Sequence, residues 1–297
     1  RMLSREVHSS LRGRGVETVI RPFGFREFLR HRGEEPGKEP RRWTAPERSR
    51  VEKRFEEYLR VGGFPEAQEL AHGLRVELLQ GYVDTVLFRD VVERHEVSQV
   101  QALRWLVRHC LRNPAGAVSV HRVFQDLKAQ GHSVSKDVVH ELFGHLVDAY
   151  LLGVAPLWTD SERRRNSNPR KVYPADTGLI HAFDSSGRTN VGHALETVVF
   201  NELSRRRAEV GYVKTSDGFE IDFLAAYGDG DRELLQVCAD PGDPRTKERE
   251  SRALIGAKKE SPKARTLLLV RTWEQAAAFG DAGFDVRPAY EWMLEER

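Results

Sequence analysis

A chain of 297 residues, 39% hydrophobic and 31% charged, is long enough for two or three packed domains and too polar for a membrane protein; no run of about 18 apolar residues occurs in it. The formal charge of +2 averages over local blocks and argues neither for nor against nucleic acid. Two isolated cysteines, Cys110 and Cys238, make neither a disulfide framework nor a zinc site, and the opening RMLSREVHSS lacks the apolar stretch and cleavage site of a secretory signal, which places the chain in the cytoplasm.

Ser4 caps a first short helix carrying Val7 and Leu11, and Gly13 and Gly15 close it. Val16 to Ile20 alternate like a strand, Pro22 breaks it, and Phe25 to Leu29 read as a short helix. A strand with nothing before it to pair with reads as the tail of something larger, and a Met preceded by Arg reads as a cut. Glu34 to Arg48, rich in Pro and charge, is expected as a loop. Val51, Phe55, Tyr58 and Leu59 then stripe a helix that Gly62-Gly63 and Pro65 end, and a further helix runs from Leu74 to Val92.

Ser98 to Tyr173 carry the pattern of a winged helix. Val100, Leu103, Leu106, Val107 and Cys110 stripe one helix, Ser119 caps a second, and Ser135 caps a third with Val138, Val139, Leu142 and Leu146 inward. LLGVAPLW and KVYPA would pair around a basic loop, ERRRNSNPRK. The third helix presents Asp137, His140, Glu141, His145 and Asp148, with Lys136 its one lysine, a face that repels phosphate. The loop clusters Arg163, Arg164, Arg165, Arg170 and Lys171, which suits nonspecific contact with a DNA backbone; the plainer alternative is a solvated hairpin tip.

After a Gly/Ser/Asn-rich linker around Asp184 to Gly192 comes a helix, ALETVVFNELSRR, and strand-like runs YVKT, GFEIDFLAAY and ELLQVCAD. A charged helix from Thr246 to Lys259 and a buried strand from Thr266 to Val270 follow. Glu196 thus lies on a helix, Asp222 mid-strand and Gln236 on the next strand, so that their oxygens converge at one sheet edge. That is the layout of a metal-dependent nuclease core.

Several strings together carry a resemblance: RMLSREVHSSLRGRGVETVIRPFGFREFL, GGFPE from Gly62, Phe88-Arg89-Asp90, VYPADTGL from Val172, Leu195-Glu196, EIDF from Glu220, Gln236-Val237-Cys238, Arg249-Glu250 and the PAYEWML tail. In this order they resemble the C-terminal part of bacterial and archaeal P-loop AAA-type ATPases that end in a domain of unknown function. The resemblance implies an α+β multidomain chain: an ATPase remnant over 1–33, a linker and helical lid over 34–97, a winged-helix domain over 98–183, and an α/β restriction-endonuclease-like domain of the PD-(D/E)XK type over 184–297. No GxxxxGK[ST] occurs, so ATP is expected only with a missing N-terminal half, whose nucleotide Arg12 and Arg14 would touch unless they merely flank a glycine turn.

In active members of that nuclease fold, helix and strand acids hold Mg²⁺ and a lysine orients or activates the attacking water. Carried over, Glu196 matches the helix acid and Asp222 the first strand acid. Gln236 stands in the second acid's place and Cys238 in the lysine's, leaving Lys247 or Lys214 as a migrated lysine. The expected role is therefore a DNA-binding or partner-docking module that is no enzyme on its own, its partners being DNA through the basic loop, the missing ATPase domain or another protein. A Mg²⁺-dependent nuclease using Glu196 and Asp222, and a protein adaptor without DNA binding, stand as alternatives.

Overall fold

The alternating runs EIDFLAA and RELLQVC become the middle of a five-stranded sheet in the computed structural model, which describes residues 18–184, 191–280 and 282–295. The expected first helix, Arg12 and Arg14 lie outside the described residues, as does most of the expected linker. Strands β4 (Glu209–Lys214), β5 (Glu220–Ala226), β6 (Arg232–Cys238), β7 (Arg265–Val270) and β8 (Asp285–Pro288) stand in that order, the first three antiparallel and the last three parallel. A parallel β6–β7 pair needs a crossover, and the helix Pro244–Glu260 supplies it, started by the Asp243 side chain and a proline in its first turn. Burial on both faces explains the unbroken apolar run in β7: Leu267 and Leu269 enter one core, Leu268 and Val270 the other.

The second sheet is small, with β1 (Ala117–Val118), β3 (Arg170–Pro174) and β2 (Leu152–Ala155) in the order β1-β3-β2, all antiparallel. In chain order the helices are α1 (Phe25–His31), α2 (Ala45–Val61), α3 (His72–Thr85), α4 (Val100–Arg112), α5 (Val120–Ala129), α6 (Lys136–Asp148), α7 (Glu162–Ser167), α8 (Thr177–Phe183), α9 (Val191–Arg205), α10 (Pro244–Glu260), α11 (Trp273–Ala277) and α12 (Ala289–Met293). The architecture is mixed α+β. Helix α3 continues through a π-helical turn, Val86–Val92, to Glu93–His95.

The helices expected to stand together as a lid are divided between two cores. Phe55 and Tyr58 of α2 share a core with α9, α12, one face of the five-stranded sheet and Phe25 and Phe28 of α1, a helix expected in the ATPase remnant, whereas Leu79, Val83, Leu87 and Val91 pack with α4, α5 and α6. Two details differ from the sequence reading: Thr18–Ile20 form no strand, and the expected basic loop contains the short helix α7, whose first turn Ser161 caps.

One corner joins distant parts of the chain. Gly62, at φ +80°, lets α2 turn sharply enough for the Gly63 amide to donate to Asp176 Oδ2 at 2.6 Å, while Asp176 Oδ1 caps α8 through Gly178 N at 2.8 Å. A Cβ on Gly62 would lie 1.9 Å from Asp176 Oδ1. The two sheets meet where Pro156–Trp158 runs beside β4: Tyr212 N donates to Pro156 O at 3.0 Å and Trp158 N to Tyr212 O at 2.8 Å.

Candidate functional site

The β5–β6 ladder stops at Phe223 opposite Leu235, and β5 also shifts register against β4 between Gly211 and Val213. Side chains replace the lost ladder bonds. Asp222 N donates to Gln236 Oε1 at 3.2 Å, and Val237 N donates to Asp222 Oδ2 at 3.0 Å. The opening turns the Asp222 carboxylate toward α9, where Leu195, Val198, Val199 and Leu203 bury one stripe and Glu196 stands at its margin. Sequence reading had expected Glu196, Asp222 and Gln236 at one sheet edge. The structure brings Glu196 and Asp222 together around Lys171, whereas Gln236 turns to the α10 side of the sheet: its oxygen accepts from the Asp222 amide and its Nε2 donates to Glu250 of α10 at 2.7 Å.

A lysine sits among the acids, and it comes from the other sheet. Lys171 Nζ of β3 lies 2.9 Å from Asp222 Oδ1, 3.0 Å from Glu220 Oε1 and 3.2 Å from Glu196 Oε1. Tyr173, two residues on and therefore on the same face of β3, donates its hydroxyl to Glu196 Oε1 at 2.8 Å and stacks on Phe200. Lys171 had been grouped with the basic loop as a DNA contact; its side chain is only 8% exposed and belongs to the acidic cluster instead. A signal for this was present in the sequence. KVYP reads as a strand, and the position two residues before an inward tyrosine, on the same face, carries the lysine.

Burial, then the neighbouring Asp222 charge, lifts the Glu196 carboxyl to about 7, although Lys171 and Tyr173 pull the other way. Burial works to lower the Lys171 pKa, but Asp222, Glu196 and Glu220 together outweigh it and hold the ammonium charged well above the ordinary lysine range. Burial raises the Tyr173 phenol strongly, with Glu196 adding to it. His193, one turn before Glu196 on α9, is held below the usual imidazole value by burial and then by the Lys171 charge.

The lysines considered from sequence lie elsewhere. Lys247 Nζ donates to Ala278 O and sits over the Phe279 ring, and Lys214 lies over Tyr212. Cys238, pushed up to about 11 by burial and then by Glu250, packs in the apolar cluster under α10. Magnesium needs near-octahedral oxygens at about 2.0–2.1 Å. Here the inward oxygens of Asp222 and Glu196 already face an ammonium, and among the described residues no group of three or more His, Cys, Asp or Glu is set to hold a metal. The donor set does not fit the ion that the nuclease resemblance implies.

The remaining expected DNA contacts separate as well. Arg163 and Arg164 are exposed on α7, whereas Arg165 is half-buried with Nη2 donating to Thr159 O. Arg170 lines a cleft of about 250 Å³ between the starts of α5 and α6 and the α7–β3 segment. Ser119, His121, Lys136, His140, Asn166 and Asn168 also line it, and among the described residues no carboxylate does.

A family model of a domain of unknown function (DUF8612) matches residues 52–190. An uncharacterised protein of Methanocaldococcus jannaschii is 31% identical over 311 residues, covering 99% of this chain and 67% of that protein. An uncharacterised protein of Haemophilus influenzae is 29% identical over 238 residues, covering 80% of this chain but 56% of that protein. No solved structure matches the chain. With that identity along almost its whole length, the chain belongs to the same family as the Methanocaldococcus jannaschii protein and carries the domain of unknown function within it.

Proposed function

We propose that the chain is the C-terminal part of an AAA-type ATP-binding protein and serves there as a nucleic-acid-binding module, not as a nuclease. The order helix, strand, two helices, strand, short helix, strand with a β1-β3-β2 sheet supports reading 98–183 as a winged helix. The five-stranded sheet with an acid on α9 and another on β5 supports a restriction-endonuclease-like ancestry for the last part. ATP binding would belong to the ATPase part of such a protein.

The observation that carries the binding role is the carboxylate-free cleft. The acids of α6 that argued against DNA, Asp137 and Glu141, do not line it; Lys136 and His140 do, opposite Arg170 and two asparagine amides. Cations with amide and hydroxyl groups suit phosphate oxygens, and Arg163 and Arg164 are exposed on the same short helix that gives Asn166 to the cleft. The test is fluorescence anisotropy with short labelled duplex and single-stranded DNA between about 50 and 200 mM salt. Lys136→Ala with Arg170→Ala is expected to weaken binding roughly tenfold and to lower the log–log salt slope by about two, one for each lost phosphate contact. No binding by the unaltered chain at low salt, or undiminished binding by the double variant, would overturn this role in favour of a protein adaptor.

A further inference from the structure

We infer that Lys171 is a built-in substitute for a divalent ion: its ammonium, carried on β3 of one sheet, takes the position between Glu196 and Asp222 of the other unit, and this ion cluster fastens the two sheets there. The inference deepens the non-nucleolytic half of the proposed function and rests on that half alone.

Three acceptors from two elements converge on one nitrogen, at 2.9, 3.0 and 3.2 Å, the spread of an ammonium's ordinary hydrogen bonds. Two further oxygens nearby are engaged by protein donors: Asp222 Oδ2 by Val237 N and Gln236 Oε1 by Asp222 N. A divalent ion bound to the same carboxylate oxygens at about 2.1 Å would press against Nζ with like charge, so ammonium and metal compete for one place. The position of the cluster gives it mechanical meaning. The sheets are already hydrogen-bonded where Pro156–Trp158 passes Tyr212, and the Tyr212 hydroxyl reaches Pro169 O, just before β3. Lys171 and Tyr173 then pin the following stretch of β3 to β5 and α9. A metal between two acids would close their own sheet and helix on each other; an ammonium arriving from β3 closes one sheet on the other. Removing it would leave carboxylates facing one another with no counter-charge, which buried groups tolerate poorly.

The experiment uses the whole chain and no nucleic acid, so the cleft and the ion cluster fail or stand separately. Mn²⁺ is titrated into the protein and followed by electron paramagnetic resonance, and melting is recorded with Mg²⁺ and with a chelator. The unaltered chain is expected to take up no stoichiometric Mn²⁺ at millimolar metal and to melt at the same temperature throughout. Lys171→Met, similar in length but uncharged, is expected to melt lower and to acquire Mn²⁺ uptake that Asp222→Asn then removes. Should Lys171→Met fail to fold, Lys171→Arg keeps the charge and is expected to fold and remain metal-free. Stoichiometric Mn²⁺ uptake by the unaltered chain or by Lys171→Arg overturns the inference. So does a Lys171→Met protein that melts like the original or folds and takes up no metal.

Discussion

Asp176 is buried, and burial raises its carboxyl to about 6 even though Gly63 and Gly178 each donate an amide hydrogen to it. A folded-state value above the unfolded value of about 3.9 means that stability from this group is fully present below that pH and is lost as pH rises through 6. The loss is on the order of 2–3 kcal/mol across that window. Asparagine has no such titration and faces one of the two amide donors with its own NH₂ group. Asp176→Asn is therefore expected to cost more near pH 4 than near pH 7 in urea unfolding; a penalty that is constant or grows with pH would contradict the assignment. The role of Gly62-Gly63 as a helix stop was legible in the sequence. Their partner was not, because Asp176 lies 113 residues beyond Gly63 and nothing local marks the pair.

Strand β3 shows why the candidate site was half legible. The acids could be placed because a helix stripe and an apolar strand each fix a face, and Glu196 and Asp222 stand at those faces. Lys171 was assigned with Arg163, Arg164, Arg165 and Arg170 because ERRRNSNPRK reads as one basic run, whereas the run contains a helix and then the first residues of a strand. On a strand, one residue decides which face a side chain joins: Arg170 reaches the cleft and Lys171 the acids. The small sheet is also set tightly against α9. A Cβ on Gly153 of β2 would stand 2.2 Å from Phe200 Cε1, so Gly153→Ala must push the sheet or the ring aside. Overpacking of this kind costs about 1–3 kcal/mol. Chemical denaturation should show that cost, and the cost should shrink in a Phe200→Ala background, where the ring that meets the methyl is gone; equal cost in both backgrounds would place the strain elsewhere.

At the scale of the molecule, the chain's early helices and its last one share a core. Phe25 meets Phe55 at 5.1 Å between ring centroids, Phe55 meets Tyr290 at 5.7 Å, and Trp43 stacks on Tyr290. Arg206, the residue after α9, lies 4.2 Å over Trp292 and donates to its carbonyl oxygen. No described helix is long and apolar enough to cross a membrane. Because these apolar groups are partners across most of the chain's length, calorimetry of the whole protein is expected to give one cooperative transition, and residues 98–297 alone are expected to lose it, leaving Tyr290 without Phe55. Two resolved transitions in the whole chain would show that the cores unfold independently. Mixed α+β character was readable from the alternation of periods 3.6 and 2, but the division of the expected lid between two cores was not, since a helix's apolar stripe says that it packs and not against what. The Gly63–Asp176 corner has a consequence for synthesis. A ribosome delivers the tight turn after α2 long before the carboxylate that receives its amide, and contacts of such separation close late because the intervening loop must first be ordered. During translation the turn is therefore held by local and earlier partners, the Gly62 amide on Tyr58 O, the Phe23 amide on Gly63 O and Gln68, whose amide reaches Gly62 O and Phe64 O, and the Gly63 amide acquires its permanent acceptor when β3 and the start of α8 have left the exit tunnel.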